Sequence, residues 1–312
     1  MQAPPSVAVL GTLTRDTTIY ADGRRTENLG GLLYTLSTLV HLFQGTARIL
    51  PVANVGADFI DTVRAALDLP GVDLSLVRRV PVANNHVHLT YRDASTRDEV
   101  LVGLVPPVAT EHVLPALASA WLLVNLTSGR DVTLETLQTV RAGYRGVLQL
   151  DVHSLTLDIA AGGLRVLRLP DRWREWVACA DWVQMNETEA LLLGEGEKPE
   201  ALARRVLELG PQGALVTLGA EGCLAAWRDG GATRTLRLPA AAHPSTAYPT
   251  GCGDVFGATF AYARLRGAGV PESIELANAI AGTKAGLEPH AELARIREHA
   301  AIHLRKCFPD EV

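Results

Sequence analysis

Thr250-Gly251-Cys252-Gly253-Asp254, followed by an apolar run over 255–266, reads as a glycine-rich loop entering a helix. The first N–H groups of a helix lack intrahelical partners and carry the positive end of the dipole, so such an approach offers an anion bare backbone to sit on. A phosphate suits that place. Asp254 at its lip has two readings: a base that accepts a proton from a substrate hydroxyl while the backbone stabilises a phosphoryl group in transfer, or an aspartate that caps the helix. Cys252 lies between the two glycines. A thiol at a helix N-terminus can have a lowered pKa and react with oxidants, but the role of a small filler in the cradle outweighs that one.

Outward from this loop the chain alternates short apolar runs with longer helical patterns, the βαβα signature of a parallel sheet covered on both faces. Strands are expected at 7–10, 47–52, 121–126, 146–151, 182–185 and 214–218, and amphipathic helices at 59–67, 134–141 and 201–209, among others. Ligands of such sheets bind beyond the carboxyl ends of the strands, which directs attention to Asp16, Asn54, Asp151, Asn186 and Gly219. Two segments, 17–28 and 86–105, break the rhythm with alternating apolar and polar residues. They read as strands outside the main sheet, forming either a lid or a surface for a homodimer. With no repeat and no linker rich in proline, residues 1–312 are expected to form one domain, with lid strands from about 12–30 and 84–106 inserted in it.

The 312 residues are 47% hydrophobic, ample for a large core, and carry a net charge of −5 with no block of Lys and Arg. Nucleic acid and anionic membrane surfaces are therefore not expected partners. The longest apolar stretch, 32–43, is too short and too polar to span a bilayer, and residues 1–6 show no basic leader. Cys179, Cys223, Cys252 and Cys307 have no Cys-x-x-Cys spacing, which fits a reducing cytoplasm.

No P-loop is present, and the glycines at 251, 253 and 257 do not have dinucleotide-fingerprint spacing. Asn186 and Glu189, three residues apart at a helix start, could hold the water shell of a magnesium ion or form a capping box. Thr217 and Gly219 could line a phosphate, or belong to a hairpin turned at 219–222. His86 and His88 share one face of a strand, and without a third ligand a solvated or substrate-facing role outweighs metal binding.

The order of these motifs resembles the ribokinase-like (PfkB) family of carbohydrate and nucleoside kinases over nearly the whole chain. It runs from Gly11 and Asp16 through Gly30-Gly31, Asn54-Val55-Gly56-Ala57-Asp58-Phe59, Gly71-Val72-Asp73, Asp151 and the Asn186 to Glu189 pair. It continues with Thr217-Leu218-Gly219-Ala220-Glu221-Gly222, and closes on Gly251-Cys252-Gly253-Asp254 and a helix carrying Asn278. The resemblance implies a three-layer α/β/α fold with a mostly parallel sheet and a small β-sheet lid. It also implies transfer of the ATP γ-phosphoryl group to a hydroxyl of a small sugar, polyol or nucleoside. Asp254 would then be the base, and the backbone of Gly251, Cys252, Gly253 and Asp254 the anion hole. Asn186 and Glu189 would support Mg2+ through water, Thr217, Gly219 and Gly222 would approach the ATP phosphates, and Asn278 would border the nucleoside. Asp16, Gly30, Gly31, Tyr34 and Asn54 would face the acceptor, a carboxylate such as Asp16 being suited to a polyol. The chain departs from the family pattern at Leu33, Tyr34 and Thr35, where small residues and then Asn are usual, and at Tyr248-Pro249-Thr250, where Asp-Thr-Thr is frequent. The carboxylate missing there speaks against a monovalent-cation site of the usual kind. The reading from a different class is a nucleotide- or sugar-binding sensor that keeps the fold with little catalysis.

Overall fold

The computed structural model describes residues 4–93, 97–241, 248, 250–287 and 293–309. In chain order its strands are β1 (Ser6–Leu10), β2 (Leu13–Ile19), β3 (Arg25–Gly31), β4 (Arg48–Gly56), β5 (Val77–Val80), β6 (His86–Tyr91), β7 (Arg97–Val102) and β8 (Trp121–Asn125). There follow β9 (Val147–Asp151), β10 (Leu157–Ile159), β11 (Arg165–Leu167), β12 (Trp182–Asn186), β13 (Gly213–Thr217), β14 (Cys223–Asp229) and β15 (Ala232–Leu238). The α-helices are α1 (Leu33–Phe43), α2 (Ile60–Ala66), α3 (Thr110–Val113), α4 (Leu134–Gly143), α5 (Trp173–Ala178), α6 (Glu187–Leu193), α7 (Pro199–Glu208), α8 (Cys252–Leu265), α9 (Val270–Ala285), α10 (Ile296–His299) and α11 (Ala301–Cys307).

Nine strands form the main sheet in the order β15-β14-β13-β12-β9-β8-β1-β4-β5. The central strands pair in parallel and β14 and β15 are added antiparallel at one edge. Side chains of a strand alternate between the two faces, and both faces here are apolar, as expected of a sheet covered on each side. In β1, Val7 and Val9 enter a core with α1, α2, α8, α9, α10 and α11, while Ala8 and Leu10 enter a second core with α3 to α7. The result is the three-layer α/β/α arrangement that the alternating pattern and the resemblance suggest.

β1 has β4 on one side and β8 on the other, so the chain builds the sheet outward in both directions from this point. Open α/β sheets have their crevice at such a reversal, beyond the carboxyl ends of the strands. Those ends carry Gly11, Asn125, Asp151, Asn186 and Thr217. A second, four-stranded sheet in the order β3-β2-β6-β7 stands beside them, with β2 and β6 parallel and the other two pairs antiparallel. A short hairpin, β10-β11, touches it through a bridge between Val100 and Leu164.

Several boundaries differ from expectation. Helix α8 begins at Cys252, not at 255, because Gly251 takes the left-handed φ of 82° that ends the loop and lets the helix start at once. Asp16 lies in the middle of β2 rather than after β1, and β4 runs on to Gly56, so Asn54 is inside a strand. The hairpin β10-β11 has strands of three residues each, too short to show a period in sequence. Pro249 of the substituted Tyr-Pro-Thr segment lies outside the described residues.

Candidate active site

A cavity of about 1190 Å³ opens at the reversal point, and the Thr250–Asp254 loop lies on its wall. Asp254 is the third residue of α8, not its cap: the capping position is Gly251, and no side chain caps the helix there. The Asp254 carboxylate is 8% exposed and is held from the sheet. Its Oδ1 accepts from Asn125 Nδ2 at 2.6 Å, with the Thr35 hydroxyl a long 3.4 Å away, and Asn125 Nδ2 also reaches Thr35 Oγ1 at 3.2 Å. Asn125 Oδ1 is buried without a partner. Gly251, Cys252, Gly253 and Asp254 supply the four N–H groups that have no acceptor within the helix. A Cβ at Gly251 would lie 2.4 Å from the Tyr34 ring, so this residue is fixed both by its φ and by that ring.

Two buried amides dock α8 onto the sheet. Gln184 Nε2 donates to Gly253 O at 2.8 Å and to Asp151 Oδ2 at 2.9 Å, and Gln149 Nε2 donates to Gly257 O at 3.2 Å. These bonds set the height of the loop above the strand ends. Lys284 in the last turn of α9 donates from Nζ to Tyr248 O at 2.7 Å and to Thr250 O, and its ammonium lies 5.5 Å from the Tyr34 ring centroid.

Charge in the cavity is lopsided. Asp151, Glu189 and Asp254 all face it, and burial holds all three carboxyls above their ordinary pKa, with the charge of Asp254 adding to the rise at Asp151 and Glu189. His153, held at φ 37°, stands among them. Burial alone would lower the imidazole, but Asp254, Asp151, Glu189 and Glu99 outweigh it and raise its pKa. Asp16 accepts from Thr14 Oγ1 at 2.6 Å, and burial raises its pKa to about 6. A Cβ at Gly30 would lie 1.8 Å from Asp16 Oδ2, so Gly30 clears space for this carboxylate while Gly31 lines the cavity.

At one end of the cavity are Thr217, Gly219, Gly222, Ala241, Asn278 and Gly282, a slot of small residues; Asn278 Nδ2 donates to Pro239 O at 2.8 Å. At the other end are Asp16, Tyr34, Val87, Leu89, Arg97 and the hairpin residues Leu157, Leu164 and Leu167. Asn186 and Glu189 sit between the ends and form a complete capping box, with Glu189 N to Asn186 Oδ1 at 2.9 Å and Asn186 N to Glu189 Oε2 at 2.8 Å.

One sequence expectation is corrected here, and two pairs of alternatives are narrowed. Asn54 is not among the cavity residues: its Nδ2 donates to Pro106 O and Pro107 O at 3.0 and 3.2 Å, pinning a loop. The Cys252 thiol is pushed up, because burial outweighs the attraction of Lys284, which favours the small filler over the reactive thiol; its Sγ is 3.8 Å from Tyr248 O. His86 shares a hydrogen bond of 2.8 Å with Thr17, and the cavity-lining residues of that strand are Val87 and Leu89. Asn125, His153, Gln184 and Lys284 escaped the sequence reading. The signal for the first and third was a polar side chain inside an apolar strand, where a buried amide needs a partner from elsewhere.

The fold is the ribokinase-like one, a fold of phosphotransferases acting on a hydroxyl acceptor. Comparison with known proteins agrees: residues 161–287 match the model of the pfkB family of carbohydrate kinases. A cytidine kinase of Thermococcus kodakarensis is 26% identical over 288 residues, covering 86% of this chain and 92% of that protein. An Arabidopsis thaliana ribokinase complexed with ribose and ATP superimposes with a TM-score of 0.76 at 19% identity, covering 97% of this chain and 99% of the other. A candidate ribokinase II from Escherichia coli, solved with ATP and Mg2+, gives 0.73 at 19% identity, covering 96% and 100%. The resemblance to the ribokinase-like (PfkB) kinases drawn from the ordered motifs therefore stands: residues 161–287 carry a pfkB-family domain, and these relatives support a phosphotransferase with a hydroxyl acceptor. Among the described residues no helix is long and apolar enough to cross a membrane.

Proposed function

We propose that this chain transfers the γ-phosphoryl group of ATP to a hydroxyl of a small sugar, polyol or nucleoside, with Asp254 as the base. The observation that carries the assignment is a carboxylate buried at the first turn of α8, beside four open N–H groups, where the two ends of one cavity meet. In this reading Asp254 takes the proton of the acceptor hydroxyl, the freed oxygen attacks the γ-phosphorus, and the bond to the β-phosphate oxygen breaks to release ADP. The N–H groups of residues 251–254 stabilise the charge on the equatorial oxygens in transfer.

The slot formed by Thr217, Gly219, Gly222 and Asn278 takes the nucleotide. Its small side chains suit a flat base, and its glycine backbone suits phosphates. Magnesium fits the donor set, because Asp151 and Glu189 are buried carboxylates facing one cavity, and the charge of Asp254 raises the pKa of both, an arrangement a cation relieves. Among the described residues no three acidic, His or Cys side chains group into a metal site, which suits an ion that keeps most of its waters. Such an ion would neutralise charge on the phosphates; Glu189, with Asn186 orienting it, is the residue we assign to its water shell.

The acceptor lies at the other end, its hydroxyls on Asp16 and the backbone of Gly31, with Tyr34 beneath. Val87, Leu89, Leu157, Leu164 and Leu167 give this end an apolar surface that a bare sugar would leave unused, which favours a nucleoside. The small sheet acts as a lid, since Asp16, Val87, Leu89 and Arg97 on it wall the acceptor end. Ile19 and Val102, 36% and 52% exposed, are the surface through which that sheet would make a homodimer. A sensor without catalysis is not favoured, because binding alone gives no return for keeping Asp254 ionisable in a buried place.

The test is ADP release with a panel of nucleosides, sugars and polyols, alongside Asp254→Asn. Turnover with at least one acceptor, reduced about 10²- to 10⁴-fold in kcat by D254N with ATP binding retained, is expected for a lost base. Wild-type turnover in D254N would sink the assignment, and binding without turnover for every ligand would restore the sensor.

A further inference from the structure

Lys284 is 1% exposed, among the most buried side chains of the molecule, and the mechanism above does not use it. Moving an ammonium out of water costs several kcal/mol unless acceptors replace the lost hydration. Its acceptors here are backbone carbonyls, Tyr248 O at 2.7 Å and Thr250 O, with the face of Tyr34 at 5.5 Å. Both carbonyls belong to the backbone that runs into Gly251.

The peptide unit is planar and trans, so its C=O and N–H point in opposite directions. The carbonyl of Thr250 and the N–H of Gly251 belong to one such unit. Turning that carbonyl onto Lys284 turns the Gly251 N–H away from it, and Gly251 is the first residue of the anion loop lining the cavity. The ring of Tyr34 holds the loop from the Gly251 side, where it excludes any Cβ. Two carbonyls converging beside an aromatic face make a seat for one monovalent cation, and in this chain the seat is filled covalently.

We infer that Lys284 is a positioning residue that serves as a tethered cation: its ammonium fixes the Tyr248 and Thr250 carbonyls and thereby orients the N–H groups of the anion loop, so that the chain needs no free monovalent cation. The inference rests on the reading of residues 251–254 as the site of the transferred phosphoryl group. It assigns no contact between Lys284 and substrate. Its positive charge also favours the ionised form of Asp254, a minor effect beside the burial of that carboxyl.

The test begins with the wild-type enzyme in tetramethylammonium chloride and in potassium chloride at equal ionic strength, tetramethylammonium being too large for the seat. Equal turnover is expected, and a wild type that requires potassium overturns the inference. Lys284→Met keeps the length and removes the charge. Its kcat is expected to fall about tenfold or more in tetramethylammonium and to recover most of that loss with about 0.1 M ammonium or potassium, while the acceptor KM changes little. Wild-type kcat for folded K284M in tetramethylammonium, or a loss that neither ion restores, overturns it. Thermal unfolding gives a second readout without turnover: ammonium should raise the Tm of K284M more than that of the wild type, and equal shifts count against a seat. Should the wild type show no kinase activity with any acceptor, the function proposed above fails, while the unfolding comparison still decides the place of Lys284.

Discussion

Asp254 shows how one side chain is set by residues far from it in sequence. Its partner Asn125 is 129 positions away, and neither the loop motif nor the strand pattern announces the pair. The residue was legible as a candidate because its own neighbours are unusual; its environment was not, because contacts of that range are created only by the sheet order. His153 is the sharper case. It gives no sequence signal, yet its charge opposes the burial that raises Asp254. The sign for activity follows: a base with a raised pKa loses its ionised form at a higher pH than an ordinary aspartate, so the acid limb of kcat/KM should lie above the usual aspartate range. His153→Asn keeps a residue that tolerates the positive φ and removes the charge. The limb should then move to still higher pH, visible in a pH profile of kcat/KM; a shift to lower pH would contradict the assignment of Asp254 as the base. Asn54 marks the opposite error, a polar residue near a strand end that looked like a ligand and is spent on two proline carbonyls.

At the level of elements, period-two and period-three-to-four patterns located the main strands and helices, because burial on both faces of the sheet leaves long apolar runs there. The start of α8 was misplaced by three residues because Gly251 and Gly253 argue locally for loop, whereas Gly251 caps the helix and docking by Gln184 holds Gly253 in its first turn. The small sheet was legible as alternation, but its bond to the loop was not. Tyr91 OH and Thr250 Oγ1 lie 3.1 Å apart, and Arg97 Nη1 reaches both, at 2.9 and 3.1 Å. If the sheet closes over the acceptor, these bonds are part of the closure. Tyr91→Phe should weaken it by about 1 kcal/mol, or about fivefold in acceptor KM, with kcat nearly intact. Steady-state kinetics with the acceptor varied at saturating ATP would measure this, and a fall in kcat alone would show that the contact acts elsewhere.

On the scale of the whole molecule, two apolar cores meet at one sheet, and the cavity lies at the point where the sheet order reverses. The fold class was legible from alternation alone; the position of the reversal was not, since strand order depends on which crossovers pack. The proposed sharing of this cavity by ATP and an acceptor makes a prediction for the intact protein. A non-hydrolysable ATP analogue at about 100 times its Kd should stabilise it by roughly 2.7 kcal/mol, raising Tm by several degrees, and D254N should show the same rise because that change removes chemistry and leaves binding. Loss of the shift in D254N would mean that Asp254 holds the nucleotide instead.

Thr250 carries a final consequence. Its hydroxyl meets Tyr91 and Arg97 of the small sheet, and its carbonyl is held by Lys284 from the main body. A single residue thus joins the small sheet to the backbone that we propose faces the phosphate. If the small sheet opens to admit the acceptor of the proposed reaction, the loop gives up its bonds to Tyr91 and Arg97 and keeps only the hold of Lys284, so this joint is suited to sparing ATP from wasteful hydrolysis in the open state.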